Sequence, residues 1–256
     1  MILRLILGLA VGALLVILSI KRRLLTSAGA LLAWGLLLDV LLLGGYAPAV
    51  YIVTVFLFSG LIGALTAPRE KKKKGASRGI RQVAANGAVA GICLLLYGIL
   101  DSLPLLVAYY AAVAEFFTDT LASDVGIHAR GRPLDLARMK RTERGRSGGV
   151  SLLGTGASAL GALLCLLLSL GAGLSPRAAA IVAISAFGGM LFDSILGSLF
   201  QGKYTCRTCG AYTEKPIHCG KEAEKIGGLA WMTNSTVNLA SNILSAILAA
   251  ILASFI

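Results

Sequence analysis

The chain is 256 residues long, 57% hydrophobic and only 14% charged, with a formal net charge of +12. A mean hydropathy of +0.82 over that length excludes a water-soluble domain and points to an all-α polytopic membrane protein. The positive charge calls for no nucleic-acid partner, because the basic residues fall between the apolar runs, where membrane orientation accounts for them.

In chain order, runs long enough to cross a bilayer, each about 17–25 residues, lie at 2–20, 24–44, 46–66, 83–100, 104–125, 149–170, 177–200 and 232–255. The first is expected to be retained rather than cleaved as a signal peptide, since the KRR cluster follows its apolar run and only Arg4 lies ahead of it. Segments 21–23, 67–82, 126–148 and 201–231 hold 3, 7, 7 and 5 of the 24 Lys and Arg residues. The positive-inside rule therefore puts these four connections in the cytoplasm and both termini outside, with the plasma membrane of a prokaryote as the expected location. The Lys71–Lys74 run reads as an orientation signal that also attracts anionic headgroups. The single transmembrane domain thus divides into a three-helix part (1–66), a basic linker (67–82) and a five-helix core (83–256) containing the 201–231 loop.

Polar residues inside the spans collect at the cytoplasmic side. The fifth span ends EFFTDTLASD, with Asp119, Ser123 and Asp124 near the surface and Glu115 one turn deeper. The fourth begins with Arg81, Gln82 and Asn86, the seventh closes on Asp193, Ser194 and Gln201, and the eighth opens with Asn234, Asn238 and Asn242. Glu115, Asp119 and Ser123 are four apart, so they share a helix face, as do Gln82 with Asn86 and the three Asn residues. The Asn stripe is equally compatible with interhelical hydrogen bonding. For Asp119 and Asp193 a functional role is favoured, because neutral side chains would join helices at lower cost in a membrane. Asp39, near the outer end of the second span, reads as a solitary interfacial acid.

Carboxylates on an oxygen-rich surface suit Mg²⁺, which keeps waters and bridges one or two carboxylates to substrate phosphates. The fifth connection offers matching anion donors: Arg141, Arg144 and Arg146, then Ser147, Gly148, Gly149 and Ser151 ahead of the sixth span. Gly154, Gly156 and Gly161 fit helix packing as well as they fit phosphate binding. In the seventh connection Cys206, Cys209, His218 and Cys219 fall within YTCRTCGAYTEKPIHCG. That spacing resembles a small zinc-binding turn, with a redox-active thiol pair as the alternative. The adjacency of His218 and Cys219 is awkward for one tetrahedron. Cys93 and Cys165 read as packing residues and His128 as a solvated loop residue.

The segments RQVAANG (81–87), EFFTDTLASDVG (115–126), SGGVSLLGTGAS (147–158), GGMLFDSILGSLFQGKY (188–204), the C-x-x-C…HCG loop and TNSTVN (233–238) occur in one order along the chain. In that order they resemble the motifs of an integral-membrane family that includes the plant plastid phytyl-phosphate kinase and vertebrate transmembrane protein nineteen. The resemblance spans about residues 78 to 242. It implies a CTP-dependent kinase that converts a prenyl monophosphate, such as phytyl or geranylgeranyl phosphate, to the diphosphate, and the choice of CTP comes from the resemblance alone. Asp124 departs from the pattern, since Glu is expected there. On this reading Asp119 and Asp193 hold Mg²⁺ with Glu115 or Asp124 assisting; the 144–151 segment binds phosphates; and Arg81, Gln82, Asn86, Ser123, Ser194, Gln201, Asn234 and Asn238 surround substrate or nucleotide. A flippase for a phosphorylated lipid and a cytidylyltransferase making a CDP-lipid are the competing expectations.

Overall fold

The computed structural model describes residues 2–66 and 77–256; the Lys71–Lys74 run lies outside them. Among the described residues there are eight helices long and apolar enough to cross a membrane. They are α1 (Ile2–Lys21), α2 (Ser27–Asp39, continued by a π-helical turn Val40–Gly44), α3 (Tyr46–Thr66), α4 (Ile80–Leu100), α5 (Leu103–Gly126), α6 (Leu152–Gly171), α7 (Pro176–Phe200) and α8 (Asn234–Ala253). Local chemistry fixes several starts. Thr26, Ser151, Ser175 and Thr233 each cap a helix N-terminus, accepting a backbone N–H from three residues on. Pro104 and Pro176 occupy first-turn positions, where a missing N–H is harmless.

Helix α5 is the hub, packed by α3, α4, α6, α7 and α8. Its sequence suits that place: Ala108, Ala111, Ala112 and Ala114 let neighbours approach, while Tyr109 and Tyr110 fill the centre fully buried. Buried hydroxyls and amides tie helices together, for lipid offers no hydrophobic drive between them. The Tyr109 hydroxyl donates to the Pro48 carbonyl at 2.7 Å, Thr118 to the Ala186 carbonyl at 3.2 Å, and the Asn242 amide to the Ala112 carbonyl at 2.7 Å. Gly154 lets α6 come against the α5 backbone, since a Cβ there would lie 2.5 Å from the Ala122 carbonyl oxygen.

The 22–26, 127–151 and 201–233 connections and Ser77–Gly79 gather at one end of the bundle. Leu25 bridges to Arg78, His128 Nε2 lies 2.7 Å from the Thr66 carbonyl oxygen, and Ser147 bonds Glu214. Arg4, by contrast, stacks on Tyr46 at the other end. Two of these connections carry small antiparallel sheets. The first has strand order β2-β1-β3, built from β1 (Leu134–Asp135), β2 (Lys140–Arg141) and β3 (Gly149–Val150). The other is β5-β4-β8, built from β4 (Lys203–Thr205), β5 (Tyr212–Thr213) and β8 (Glu224–Gly227), beside a β6–β7 hairpin of Ile217–His218 and Lys221–Glu222.

The first sheet is pinned to α7 by Asp135. Its Oδ1 accepts from the Ser198 hydroxyl at 2.6 Å and from the Ala137 and Arg138 amides at 3.1 Å each, while its Oδ2 pairs with Arg138 at 3.2 Å. Burial pushes this carboxyl up, but the Ser198 and Arg138 bonds outweigh it and hold it below the usual carboxylate value. Asp39, expected as a solitary interfacial acid, has no partner at one oxygen but is less open than an interfacial position implies. It ends α2 partly buried, facing the Gly91 turn of α4.

Candidate functional site

At the end carrying the basic connections a polar cavity of about 740 Å³ opens between the helices. Helix α5 contributes Asp119, Ser123 and Asp124; α7, Asp193 and Ser194; α4, Gln82 and Asn86; α8, Asn234 and Asn238. The connections add Arg22, Arg23, Arg78, Arg144, Arg146 and the Ser147–Gly149 turn. The shared faces expected from four-residue spacing are thus turned toward one space.

Glu115 is the exception among the acids. It is 2% exposed and does not line the cavity. Its Oε1 accepts from the Ser241 hydroxyl at 2.9 Å and its Oε2 from the Asn242 amide at 2.8 Å. Ser241 also lies 3.2 Å from Asp193 Oδ2, so Glu115 stands behind the cavity acids. Asp119, on the wall, lies in the combined field of Asp193, Asp124 and Arg78.

Arg81, expected at the site, points away and is exposed, and the cavity cation from this segment is Arg78. Arg78 precedes the helix, so the phase of α4 does not govern it. Its backbone pairs with Leu24 and Thr26, its guanidinium donates to Ser59 Oγ at 3.3 Å, and it stacks over Phe116. Burial pulls this guanidinium down, while Asp124 and then Asp119 push it back up, which marks it as the cation facing the acids.

Polar side chains link the other walls. The Asn234 amide donates to Asn238 Oδ1 at 3.1 Å, and the Asn238 amide to Asn86 Oδ1 at 3.3 Å, joining α8 to α4 across the cavity edge. Asn242, deeper, serves the packing role. Ser151 caps α6 while also lining the cavity. Arg144 donates to the Gly131 carbonyl; Arg146 pairs with Glu143 at 2.7 Å and stacks on Tyr212. Gly148 has φ +84, and a Cβ there would meet Ser198 at 2.4 Å, so the turn fits α7 only with glycine.

The Ser147–Gly149 turn is not open to solvent along its whole length. Glu214, from the segment between Cys209 and His218, accepts the Ser147 N–H at 3.0 Å and its hydroxyl at 2.6 Å. The same carboxylate accepts from the Gln201 amide at 2.7 Å. Gln201 is therefore a buried strut for Glu214 as well as a cavity residue.

The four Cys/His residues converge, with all ligand atoms within 4.8 Å of one another. Cys219 Sγ lies 3.8 Å from Cys209 Sγ and 3.4 Å from His218 Nδ1, and Cys209 Sγ lies 3.6 Å from that nitrogen. The expected awkwardness of adjacent His218 and Cys219 is resolved by the backbone. Cys219 takes φ +52 at the hairpin turn, which brings its sulfur back beside the imidazole. Backbone N–H from Cys209 and contact with His218 draw the Cys206 thiol down to about 6. Neighbouring Cys209 and burial push Cys219 up to about 11, a crowding of sulfurs that a cation would relieve. Among the described residues this is the one group of three or more potential His, Cys, Asp or Glu metal ligands; the cavity acids do not form such a closed set.

Sequence reasoning missed Arg22, Arg23, Arg78, Glu214 and Ser241 at the site. The arginines registered only as topology signals. Ser241 was within reach of the spacing argument, three residues after Asn238 and next to Asn242, whereas Glu214 carried no local signal.

No solved structure matches this chain. An uncharacterized membrane protein of Methanocaldococcus jannaschii is 27% identical over 164 residues, which cover 62% of this chain and 67% of that protein. The model of the integral membrane protein family DUF92 matches residues 10–246, reaching back into α1 as well as covering the segments that carried the resemblance. The chain belongs to that family.

Proposed function

We propose that the protein is a membrane-embedded phosphotransferase, taking the terminal phosphoryl group of CTP, or another nucleoside triphosphate, to a prenyl monophosphate and releasing the nucleoside diphosphate and a prenyl diphosphate. The observation that carries this reading is the cavity itself: Asp119, Asp124 and Asp193 share it with five arginines, Arg22, Arg23, Arg78, Arg144 and Arg146, at the end of the bundle instead of its middle. A phosphate substrate accounts for so many cations beside acids, and acids beside phosphates call for a divalent cation. A lipid phosphate keeps its tail in the bilayer while its headgroup meets a nucleotide from the cytoplasm. A transporter site is expected nearer the midplane, in broken helices.

The donor set fits Mg²⁺: the carboxylates of Asp119, Asp124 and Asp193 on the cavity wall, with no cysteine or histidine lining it. Asp119 and Asp193 would hold the ion, with Asp124 beside them, and the ion would supply charge neutralisation between donor and acceptor phosphates. The arginines bind and align the phosphates. An acceptor phosphate oxygen attacks the terminal phosphorus as the bond to the leaving nucleoside diphosphate breaks. The acceptor is already anionic, so no side chain has to remove a proton. Glu115 and Asp193 meet at the Ser241 hydroxyl, whose single proton serves one carboxylate at a time.

For the Cys/His centre the reading is structural zinc. Zn–S near 2.3 Å and Zn–N near 2.0–2.1 Å in a tetrahedron require about 3.8 Å between sulfurs and about 3.5 Å between sulfur and nitrogen. The Cys209, His218 and Cys219 separations of 3.8, 3.6 and 3.4 Å follow that pattern.

The test is transfer of label from γ-labelled CTP or ATP to geranylgeranyl phosphate. Asp119→Asn and Asp193→Asn are expected to lose turnover by orders of magnitude while still inserting, since removing a carboxylate eases insertion. Asp39→Asn, remote from the cavity, should turn over normally. Near-wild-type transfer by Asp119→Asn across a Mg²⁺ titration would refute the assignment.

A further inference from the structure

A second cavity, almost wholly apolar, lies between α1, α2, α3, α4 and α5. Its walls include Val16, Trp34, Leu37, Ile52 and Phe116. Four of its lining residues, Phe56, Arg78, Gln82 and Asn86, also line the polar cavity. The two spaces therefore meet at a shared wall carrying a guanidinium and two amides, with hydrocarbon side chains on one side and the acids and arginines on the other. Trp34 is fixed there: its Nε1–H donates to the Gly8 carbonyl at 3.1 Å, and its ring lies against Gly12.

We propose that this slot binds the hydrocarbon tail of an anionic prenyl lipid whose phosphate lies at Arg78. The proposal rests on the phosphotransferase reading and names where the acceptor sits. Position and charge select the occupant. Among the four residues of the shared wall only Arg78 is charged, with Arg22 and Arg23 elsewhere in the polar cavity, so an anionic head is favoured over a cationic one. The slot's polar lining is Ser19, Arg78, Gln82 and Asn86, the last three belonging to the mouth, so a tail with its own hydrogen-bonding groups would leave them unpaired.

Size sets how much of the tail it holds. From Ser19 to Gly12 along α1 the slot descends about 10 Å at 1.5 Å per residue. Its volume is about 120 Å³. That depth and volume take up the first isoprene units of a tail and not a whole long chain. Longer tails continue past the Trp34 level, so the slot recognises the end of the tail next to the phosphate. It also gives α1–α3 a role at the site, since those helices contribute most of its walls.

The test uses geranyl monophosphate with a diazirine at the tail terminus, photolysed with the purified wild-type protein in lipid nanodiscs and mapped by mass spectrometry. Labels are expected on Val16, Leu37 and Ile52. Labels confined to lipid-facing positions such as Leu31, Leu61 and Leu163, or no specific label, would overturn the slot. Ala33→Phe fills the space and should lower labelling about tenfold, a change of ~1.4 kcal/mol, while Leu31→Phe on the outer face leaves it unchanged. Arg78→Gln should weaken labelling by the phosphate probe but not by the corresponding alcohol probe. Slot labelling without phosphoryl transfer from any nucleotide would sink the kinase reading and leave the slot standing; transfer with labels elsewhere would do the reverse.

Discussion

Replacing Glu214 by Ala should loosen the glycine turn beside the acids, although Glu214 belongs to a different connection. The carboxylate accepts two bonds from Ser147, at 3.0 and 2.6 Å, and one from Gln201 at 2.7 Å. Hydrogen bonds to a charged acceptor contribute about 1.5–3 kcal/mol each and do not add. Ser147 is only partly buried, which screens its share, whereas Gln201 is 2% exposed and would be left with an unpaired amide. A net loss of about 2–3 kcal/mol follows, a factor of roughly 30–150 in the opening equilibrium. Hydrogen exchange reads this directly, because the Ser147 N–H is itself one of the donors. Amide exchange in segment 145–150 should accelerate by that factor in Glu214→Ala and by less in Glu214→Gln, which keeps one acceptor oxygen. Exchange unchanged in the Ala variant would refute the link between the Cys/His connection and the turn.

Stripping the Cys/His centre with a chelator should release about one zinc per chain, and Cys206→Ser or Cys209→Ser should abolish its uptake. Glu214 lies between the two ligand pairs, so metal removal should speed exchange in 145–150 as well as in 203–227; a metal-free protein with both segments fully protected would contradict this. Asp135→Ala should destabilise the 127–151 connection by about 2–3 kcal/mol, read as faster proteolysis there. Because the folded Asp135 carboxyl is held below its unfolded value, its contribution is present above about pH 4 and disappears as pH falls through the folded value. Protection of this connection should therefore be flat from about pH 7 to 5 and fall below about pH 4, whereas the Ala variant should lack that step.

The bundle was legible because each span announces itself by length and apolarity, and the observed helices begin and end within a few residues of the runs read from sequence. The acids of α5 and α7 were legible for the same kind of reason: charge inside a span has to face protein or water. Depth within that face was not. Glu115 and Asp119 share spacing and chemistry, and what separates them is Ser241 and Asn242 on α8, a contact between residues over a hundred positions apart. Arg78 and Arg81 look interchangeable in sequence, yet one precedes the first turn of α4 and the other lies on its outer face. The sheets of the two large connections escaped because strands of two to four residues are too short for an alternation to be detected. The Cys/His spacing was visible, but its convergence depended on the left-handed turn at Cys219, a backbone choice that a non-glycine residue does not advertise.

The most direct test of the central claim is to identify both products after the purified wild-type protein is incubated with CTP, Mg²⁺ and geranylgeranyl phosphate. A phosphotransferase site at Asp119 and Asp193 predicts CDP and geranylgeranyl diphosphate in equal amounts, with neither formed by Asp119→Asn. Pyrophosphate together with a CDP-lipid would make the same cavity a cytidylyltransferase, and an unchanged lipid with CTP or with ATP would contradict the account.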